Sequence, residues 1–225
     1  MIELLDLQQT LHAFAACNDE DAVYASFGWV HATDGDLLQA GFWLPADEEA
    51  AFDDDSDVPA RARALGLSSY LEPATFADVL DVQKRQRPLS TLADYAQAQA
   101  LAYYAEYDAF QQVDGIDKAL GEAGTEEQAA ARGSGVGTGI FASFDLMLSA
   151  CPEGQIKAVA QRVEHVLEIP VGEALARCRS LPLALGEGLD RNRAQAIKDD
   201  FDATGATLQV HGFKSFPWMD APVLR

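Results

Sequence analysis

Residues 144–167 read FDLMLSACPEGQIKAVAQRVEHVL and predict a strand followed by an amphipathic helix. Alternating apolar residues over 144–148 are typical of a strand with one buried face, and Pro152 lies at its end. In the helix that follows, apolar residues recur at intervals of three and four and form one continuous stripe. They are Ile156, Val159, Ala160, Val163, Val166 and Leu167. The pattern therefore predicts a β-α unit at the start of the C-terminal half.

Downstream of this unit, the pattern predicts a shorter helix, a strand, a third helix and a last strand. Helices are expected at 171–180 and after Asp190, and strands at 181–185 and 207–211. Asp190 is a typical N-cap residue, because its carboxylate can accept a hydrogen bond from a free amide of the first helical turn. The predicted order is β-α-α-β-α-β.

This order and several residues resemble the C-terminal domain of the bacterial ribosomal protein L7/L12. The resemblance covers 144–210 and depends on four segments: 144–148 (FDLML), 156–159 (IKAV), 172–175 (GEAL) and 189–210 with its Gly205-Ala206 step. It implies a three-stranded antiparallel sheet covered by three helices and without catalytic residues. In that family the domain recruits translation factors through a basic surface on its helices, and relatives of the fold act as protease adaptors by docking.

The chain departs from this family in two respects. The basic residues of the helices are few and are mixed with glutamates: Lys157, Arg162, Arg177 and Arg179 alternate with Glu164, Glu168 and Glu173. The dimerising helical hairpin that precedes the hinge in the family is replaced by an acidic domain. The resemblance thus implies the fold, whereas adaptor function remains an alternative.

The N-terminal half predicts a small α+β domain. Leu4, Leu7, Leu11 and Phe14 recur at helical spacing. The aromatic runs at 23–31 and 37–44 flank Asp34-Gly35, so we expect an antiparallel hairpin. Helical patterns return at 76–83 and 91–110, and the second of these helices is expected to turn one face to the core. That face comprises Leu92, Ala96, Tyr103, Tyr107 and Phe110.

A glycine-rich stretch separates the two halves. Residues 121–139 read GEAGTEEQAAARGSGVGTG, which is typical of a flexible linker, and no GK[ST] ending supports a phosphate-binding loop. We therefore predict an α+β protein with an acidic domain at 1–120, a linker at 121–139 and an L7/L12-like domain at 140–225. The tail at 212–225 contains Phe213, Phe216, Trp218 and Met219 and is expected to fold back on the protein, with a partner-binding tail as the alternative.

Negative charge is concentrated in the N-terminal half. The formal net charge is −20, and residues 1–130 hold 25 acidic and 6 basic side chains, whereas 131–225 hold 11 and 10. Such a field repels nucleic acid and anionic membranes and attracts basic proteins. The alternative is that the acidity only keeps the protein soluble. Acidic residues near Met1 and the lack of an apolar run of about 18 residues predict a cytoplasmic protein.

The sequence lacks the usual catalytic and metal-binding patterns. The four histidines (His12, His31, His165 and His211) lie outside GxSxG and HExxH motifs. Asp53, Asp55 and Asp57 alternate as calcium ligands do, but an EF-hand would need glycine and glutamate where Val58 and Ala64 stand. Three cysteines without CxxC spacing predict neither disulfides nor zinc binding. We expect no catalysis, cofactor or metal, with an enzyme that uses the tyrosine-rich helix as a less favoured alternative.

These features favour a protein that binds and neutralises a basic partner. The segments 41–45 (GFWLP) and 103–110 (YYAEYDAF) resemble uncharacterised bacterial domains that accompany secreted toxins. We expect an immunity-type protein whose acidic face mimics a phosphate backbone toward a basic nuclease toxin. The carboxylates expected to bind its arginines and lysines are Asp34, Asp36, Asp47, Glu48, Glu49, Asp53, Asp54, Asp55 and Asp57. The alternative is an L7/L12-like adaptor for translation factors, a protease or a chaperone.

Overall fold

The computed structural model describes residues 4–46, 58–91, 93–113 and 121–225. These residues form two compact units. Unit 1 comprises the described residues up to Phe141 together with Ser215–Met219, and unit 2 comprises Ala142–Lys214 and Asp220–Arg225. Each unit contains helices and a three-stranded antiparallel sheet, so the α+β class predicted from the sequence is confirmed.

Unit 1 begins with a helix whose start is set by a capping box. The Asp6 carboxylate accepts the Gln9 N–H at 2.7 Å, and the Gln9 side chain accepts the Asp6 N–H at 2.8 Å. The elements of unit 1 are α1 (Leu7–Ala15), α2 (Glu20–Ser26), β1 (Val30–Thr33), β2 (Phe42–Trp43), α3 (Ala60–Ala64), β3 (Leu67–Leu71), α4 (Pro73–Gln86), α5 (Ala93–Tyr107) and α6 (Thr125–Gly133).

The sheet of unit 1 has the order β2-β1-β3, with His31 opposite Trp43 and Val30 opposite Leu71. Its core includes Phe14 of α1, whose ring stacks on that of Phe76 of α4 at 4.8 Å between centroids. The predicted opening helix and the antiparallel pairing across Gly35 are thus confirmed. Gly35 has a φ of 109°, a conformation that favours glycine.

Two sequence predictions for unit 1 are corrected by the structure. The run 23–31 was expected as a strand, but its first residues belong to α2, because Asp19 caps that helix by accepting the Ala22 N–H at 2.8 Å. In the run 37–44 only Phe42–Trp43 is a strand.

The stretch expected as a linker also contains regular structure. Residues Thr125–Gly133 form α6, which begins with Glu126 and Glu127 in its first turn and consists largely of alanine and other good helix formers. Ala131 and, after the helix, Val136 are buried. The segment 121–139 is therefore partly helical and packed, although its glycines favoured a linker.

Unit 2 consists of β4 (Ser143–Ala150), a 3-10 turn at Glu153–Gln155, α7 (Ile156–Leu167), α8 (Val171–Cys178), β5 (Leu183–Leu189), α9 (Arg191–Asp202) and β6 (Thr207–Phe213). Its sheet has the order β5-β4-β6, all antiparallel. Phe144, Leu146 and Leu148 of β4 form a core with Val159 and Val163 of α7 and with Phe201 of α9. The three-stranded sheet and three helices implied by the L7/L12 resemblance are present.

Of the aromatic tail, Ser215–Met219 belongs to unit 1, and Phe216 packs into the core of that unit, whereas Phe213 ends β6 of unit 2. Phe216 is 1% exposed and stacks on Trp218 at 4.6 Å between ring centroids. Asp220–Arg225 belongs to unit 2, where the Arg225 N–H donates to the Gln195 side chain at 2.8 Å. Across the described ranges, no helix combines the length and the apolar character that a membrane crossing requires.

Candidate protein-interaction surface

Two of the nine carboxylates predicted to bind a partner can be placed in the structure. Asp34 and Asp36 are exposed in the turn after β1. The Ser68 hydroxyl donates to Asp34 at 3.1 Å, and the Leu38 N–H donates to Asp36 at 3.1 Å. Both acids thus stabilise local structure. The other seven, Asp47, Glu48, Glu49, Asp53, Asp54, Asp55 and Asp57, lie outside the described residues.

The structure brings a different set of carboxylates together. Glu20 begins α2, Glu72 precedes α4, and Asp78 lies within α4. All three act on the phenol of Tyr24, which is 48% exposed. The pKa of Tyr24 is raised mainly by partial loss of solvent around its phenol and, to a smaller extent, by the negative charges of these carboxylates. Residues far apart in sequence therefore create one negative region around an exposed tyrosine.

Among the described residues, only negative charges act on the carboxylate of Asp78. Loss of solvent around its carboxylate raises the pKa of Asp78, and three carboxylates, Glu20, Asp81 and Glu72, raise it further. Each charge that shifts its pKa is thus negative. Asp81, by contrast, is paired: its Oδ2 lies 2.5 Å from the Arg85 Nε.

The negative region continues to the end of α5. A hydrogen bond to Asp108 raises the pKa of Tyr104, and the charge of Asp78 adds to the shift. The ring of Tyr104 lies 5.2 Å from that of Phe110, which is 41% exposed. Asp108 follows the C-terminal end of α5, where the helix dipole already contributes negative charge. We name the group Glu20, Tyr24, Glu72, Asp78, Tyr104 and Asp108 the tyrosine–carboxylate surface.

Helix α5 also exposes a stripe of tyrosines, contrary to the sequence prediction. Tyr103, Tyr107 and Phe110 were expected in the core, but Tyr107 is 56% exposed, and its ring lies 4.7 Å from that of Tyr103. The buried residues of α5 include Gln97, Ala98, Ala100 and Leu101. Alanines surround the whole helix, so apolar periodicity could not identify the buried face. The exposed rings offer flat surfaces on which an arginine can stack.

The basic side chains of unit 2 are partly neutralised within the unit. The Arg162 Nε lies 3.1 Å from the Asp200 carboxylate, and the Arg177 Nη2 lies 2.5 Å from that of Glu173. Lys157 and Arg179 are exposed. The basic docking surface implied by the L7/L12 resemblance is therefore present only in reduced form.

The three cysteines lie in partly or fully buried positions. Burial raises the pKa of the thiols of Cys17, Cys151 and Cys178, which lowers their thiolate fraction. Within the part of the chain that the structure describes, no three His, Cys, Asp or Glu side chains are placed to hold a metal ion. His31 is fully buried against Trp43, at 5.3 Å between ring centroids.

Comparisons with known proteins find two kinds of similarity. Residues 4–113 match the model of a domain of unknown function, DUF7716, which describes no activity. The chain is 23% identical to the large ribosomal subunit protein bL12 of Shewanella denitrificans over 113 residues, which is 50% of this chain and 92% of that protein. It is 31% identical to bL12 of Borreliella afzelii over 67 residues, or 30% of this chain and 53% of that protein. The 67-residue match thus spans about half of its relative. These matches support an L7/L12-like segment, and the resemblance to toxin-associated domains stays a prediction.

Proposed function

We propose that this protein is a non-enzymatic binding protein whose acidic unit 1 neutralises a basic protein, as an immunity protein neutralises its toxin. The observation that supports this most is the carboxylate of Asp78, which lies near Glu20, Glu72 and Tyr24 and on which only negative charges act among the described residues. A cation from a partner would remove the repulsion between these groups and gain charge-assisted hydrogen bonds. The adjacent tyrosine rings add faces for arginine stacking.

The kind of partner follows from the charge distribution. Residues 1–130 carry an excess of acidic over basic side chains, whereas 131–225 are close to neutral. A field of this sign accelerates encounter with basic proteins and repels nucleic acid. A basic nuclease toxin in the cytoplasm is the partner that we favour, and its neutralisation needs neither a cofactor nor a metal.

Affinity capture with the full chain tests this function. The wild-type protein should retain a basic protein at low salt, and the triple variant Glu20→Gln, Glu72→Gln, Asp78→Asn should lose it. A matched control, Glu153→Gln, Asp199→Asn, Asp220→Asn, removes the same charge from unit 2 and should retain it. Binding by the first variant with unchanged affinity and salt dependence would contradict the proposal.

The similarity to bL12 favours a second candidate function, an adaptor that docks through unit 2. Here Lys157 of α7 and Arg179 after α8 would contact a translation factor, a protease or a chaperone. Cosedimentation of the full chain with ribosomes and their factors tests this function. The double variant Lys157→Ala, Arg179→Ala should weaken this cosedimentation, whereas the triple variant in unit 1 should leave it unchanged. The two candidate functions therefore predict opposite results for the same two variants: the first requires the carboxylates of unit 1, and the second requires the basic residues of unit 2.

A further inference from the structure

A small polar cavity in unit 1 lies outside the tyrosine–carboxylate surface. It measures about 210 Å³, and its lining includes the apolar side chains of Ala96 and Val113. The polar lining consists of Gln83, Arg87, Gln99, Gln111 and Gln112. This volume has room for several water molecules. It is smaller than the roughly 300 Å³ at which drug-sized sites begin, so its size suits a small metabolite.

The cavity offers a buried hydrogen-bond acceptor. Gln83 of α4 is 4% exposed, and its Oε1 has no partner among the residues that the structure describes. A buried acceptor without a donor destabilises a fold, and native proteins rarely leave one unsatisfied. An N–H group of a ligand in the cavity would satisfy it. Gln99 also lines the cavity, and its Nε2 donates to the Tyr95 hydroxyl at 2.5 Å.

Arg87 supplies a positive charge at the C-terminal end of α4. It follows Gln83 by one helical turn, and its backbone N–H donates to the Gln83 carbonyl at 3.0 Å. Its exposed guanidinium has neither a hydrogen bond nor an ion pair within the described ranges. A guanidinium binds a carboxylate through two parallel hydrogen bonds. The last carbonyls of α4 carry partial negative charge, which favours a cationic group beside that carboxylate.

We infer that this cavity binds a free α-amino acid, with its carboxylate on Arg87 and its ammonium group directed to the Gln83 Oε1. A simple anion would satisfy Arg87 but would leave the Gln83 acceptor unpaired at the negative end of a helix. A neutral amide would satisfy Gln83 but would leave the guanidinium unpaired. A zwitterion satisfies both groups, and the remaining glutamines can form hydrogen bonds with a polar side chain. This inference does not depend on the proposed function.

The probes are the L-amino acids, tested one at a time against the full chain by NMR of the glutamine side-chain amides. Concentrations reach about 10 mM, which detects a Kd in the millimolar range. At least one amino acid should shift the amide signals of Gln83, Gln99 and Gln111. Its carboxyl-amidated and N-acetylated derivatives should each bind roughly tenfold more weakly or worse, because each lacks one charged group.

Variants locate the site. Arg87→Gln should weaken binding roughly tenfold or more, whereas Arg193→Gln, an equal charge change at an exposed position of unit 2, should not alter it. Gln83→Leu should also abolish the shifts. Its matched control is Gln97→Leu, since Gln97 is also buried and its Oε1 likewise lacks a partner among the described residues, but it does not line the cavity. Thermal unfolding identifies any variant that fails to fold. Because Arg87 is exposed, Arg87→Gln should fold normally, so its effect on binding tests the inference even if Gln83→Leu does not fold. The inference is wrong if no amino acid shifts these signals, or if Arg87→Gln and both derivatives leave affinity unchanged.

Discussion

Lys84 of α4 allows a sharp test of how unit 1 is stabilised. Its side chain is 1% exposed. The ammonium Nζ donates to the Pro88 carbonyl at 2.6 Å and lies 5.7 Å from the ring centroid of Phe216. Burial lowers the pKa of Lys84 from 10.5 to about 7, and the charge of Asp81 opposes this shift. The folded protein thus contains a lysine that titrates near neutral pH.

The pH dependence of stability follows from this shift. Between about pH 7 and 10.5 the unfolded chain keeps a proton on Lys84 that the folded chain has lost. The free energy of unfolding therefore rises with pH in this window, by about 1.4 kcal/mol per pH unit. From pH 7.5 to pH 9 the contribution of Lys84 is about 2 kcal/mol. Below pH 7 the lysine is protonated in both states, and the cost of burying its charge is fully present.

Replacing Lys84 with Met removes the titrating group and keeps an unbranched apolar side chain in the same space. Between pH 7.5 and 9, Lys84 should add about 2 kcal/mol to the free energy of unfolding of the wild type. The Lys84→Met variant should lack this increase. Its stability relative to the wild type should be greatest below pH 7. Urea unfolding followed by tryptophan fluorescence is the assay, because all three tryptophans (Trp29, Trp43 and Trp218) lie in unit 1.

The control is Lys157→Met, which removes an exposed lysine from α7 of unit 2. This variant should follow the pH dependence of the wild type. Equal pH slopes for the wild type and Lys84→Met would refute the reasoning, because they would mean that Lys84 keeps its proton in the folded state.

Three further substitutions test other parts of the structure. Phe216→Ala should destabilise unit 1 by about 3–5 kcal/mol in urea unfolding, since a fully buried ring is lost; a change under about 1 kcal/mol would contradict the packing of the tail. Gly212→Ala should lower the melting temperature of unit 2, because its Cβ would lie 2.2 Å from the Pro222 carbonyl oxygen, whereas Gly154→Ala meets open space and should leave it unchanged. Asp78→Asn should stabilise unit 1, most at low salt, because the raised pKa of Asp78 shows that its charged form is disfavoured. Equal stability of Asp78→Asn and the wild type at low salt would argue against the carboxylate cluster.

Unit 2 could be predicted closely from the sequence because local and tertiary signals agree there. The apolar stripe of α7 supplies the buried residues Val159, Ala160 and Val163. Asp190 caps α9, as expected, by accepting the Arg193 N–H at 2.8 Å, and Lys198 pairs with Asp202 one turn further along the helix at 2.5 Å. Gly205 has a φ of 72°, which favours glycine after the helix. Each of these interactions spans at most four residues, so the sequence displays it directly.

Unit 1 was harder to predict because its decisive contacts are distant in sequence. The face of α5 depends on its packing against α1 and α4, and alanine-rich sequence leaves that choice open. The packing of Phe216 in the core of unit 1 joins residues more than a hundred positions apart. The tyrosine–carboxylate surface has the same origin, since Glu20 and Asp78 approach only when α2 packs on α4. Composition indicated an acidic unit but could not indicate which acids converge.

The position of Asp78 inside α4 distinguishes it from the carboxylates that stabilise the start of a helix. Glu20 lies in the first turn of α2, where a carboxylate stabilises the helix, and Asp19 beside it accepts a backbone N–H. Asp78 lies inside α4, beyond the turn in which a carboxylate would favour the helix, and the charges that act on it raise its pKa. A group that weakens its own fold and shows a perturbed pKa at the surface is typical of a binding site, where stability is given up for function. Among the described carboxylates of this surface, Asp78 is therefore the one that we propose serves a partner rather than the fold.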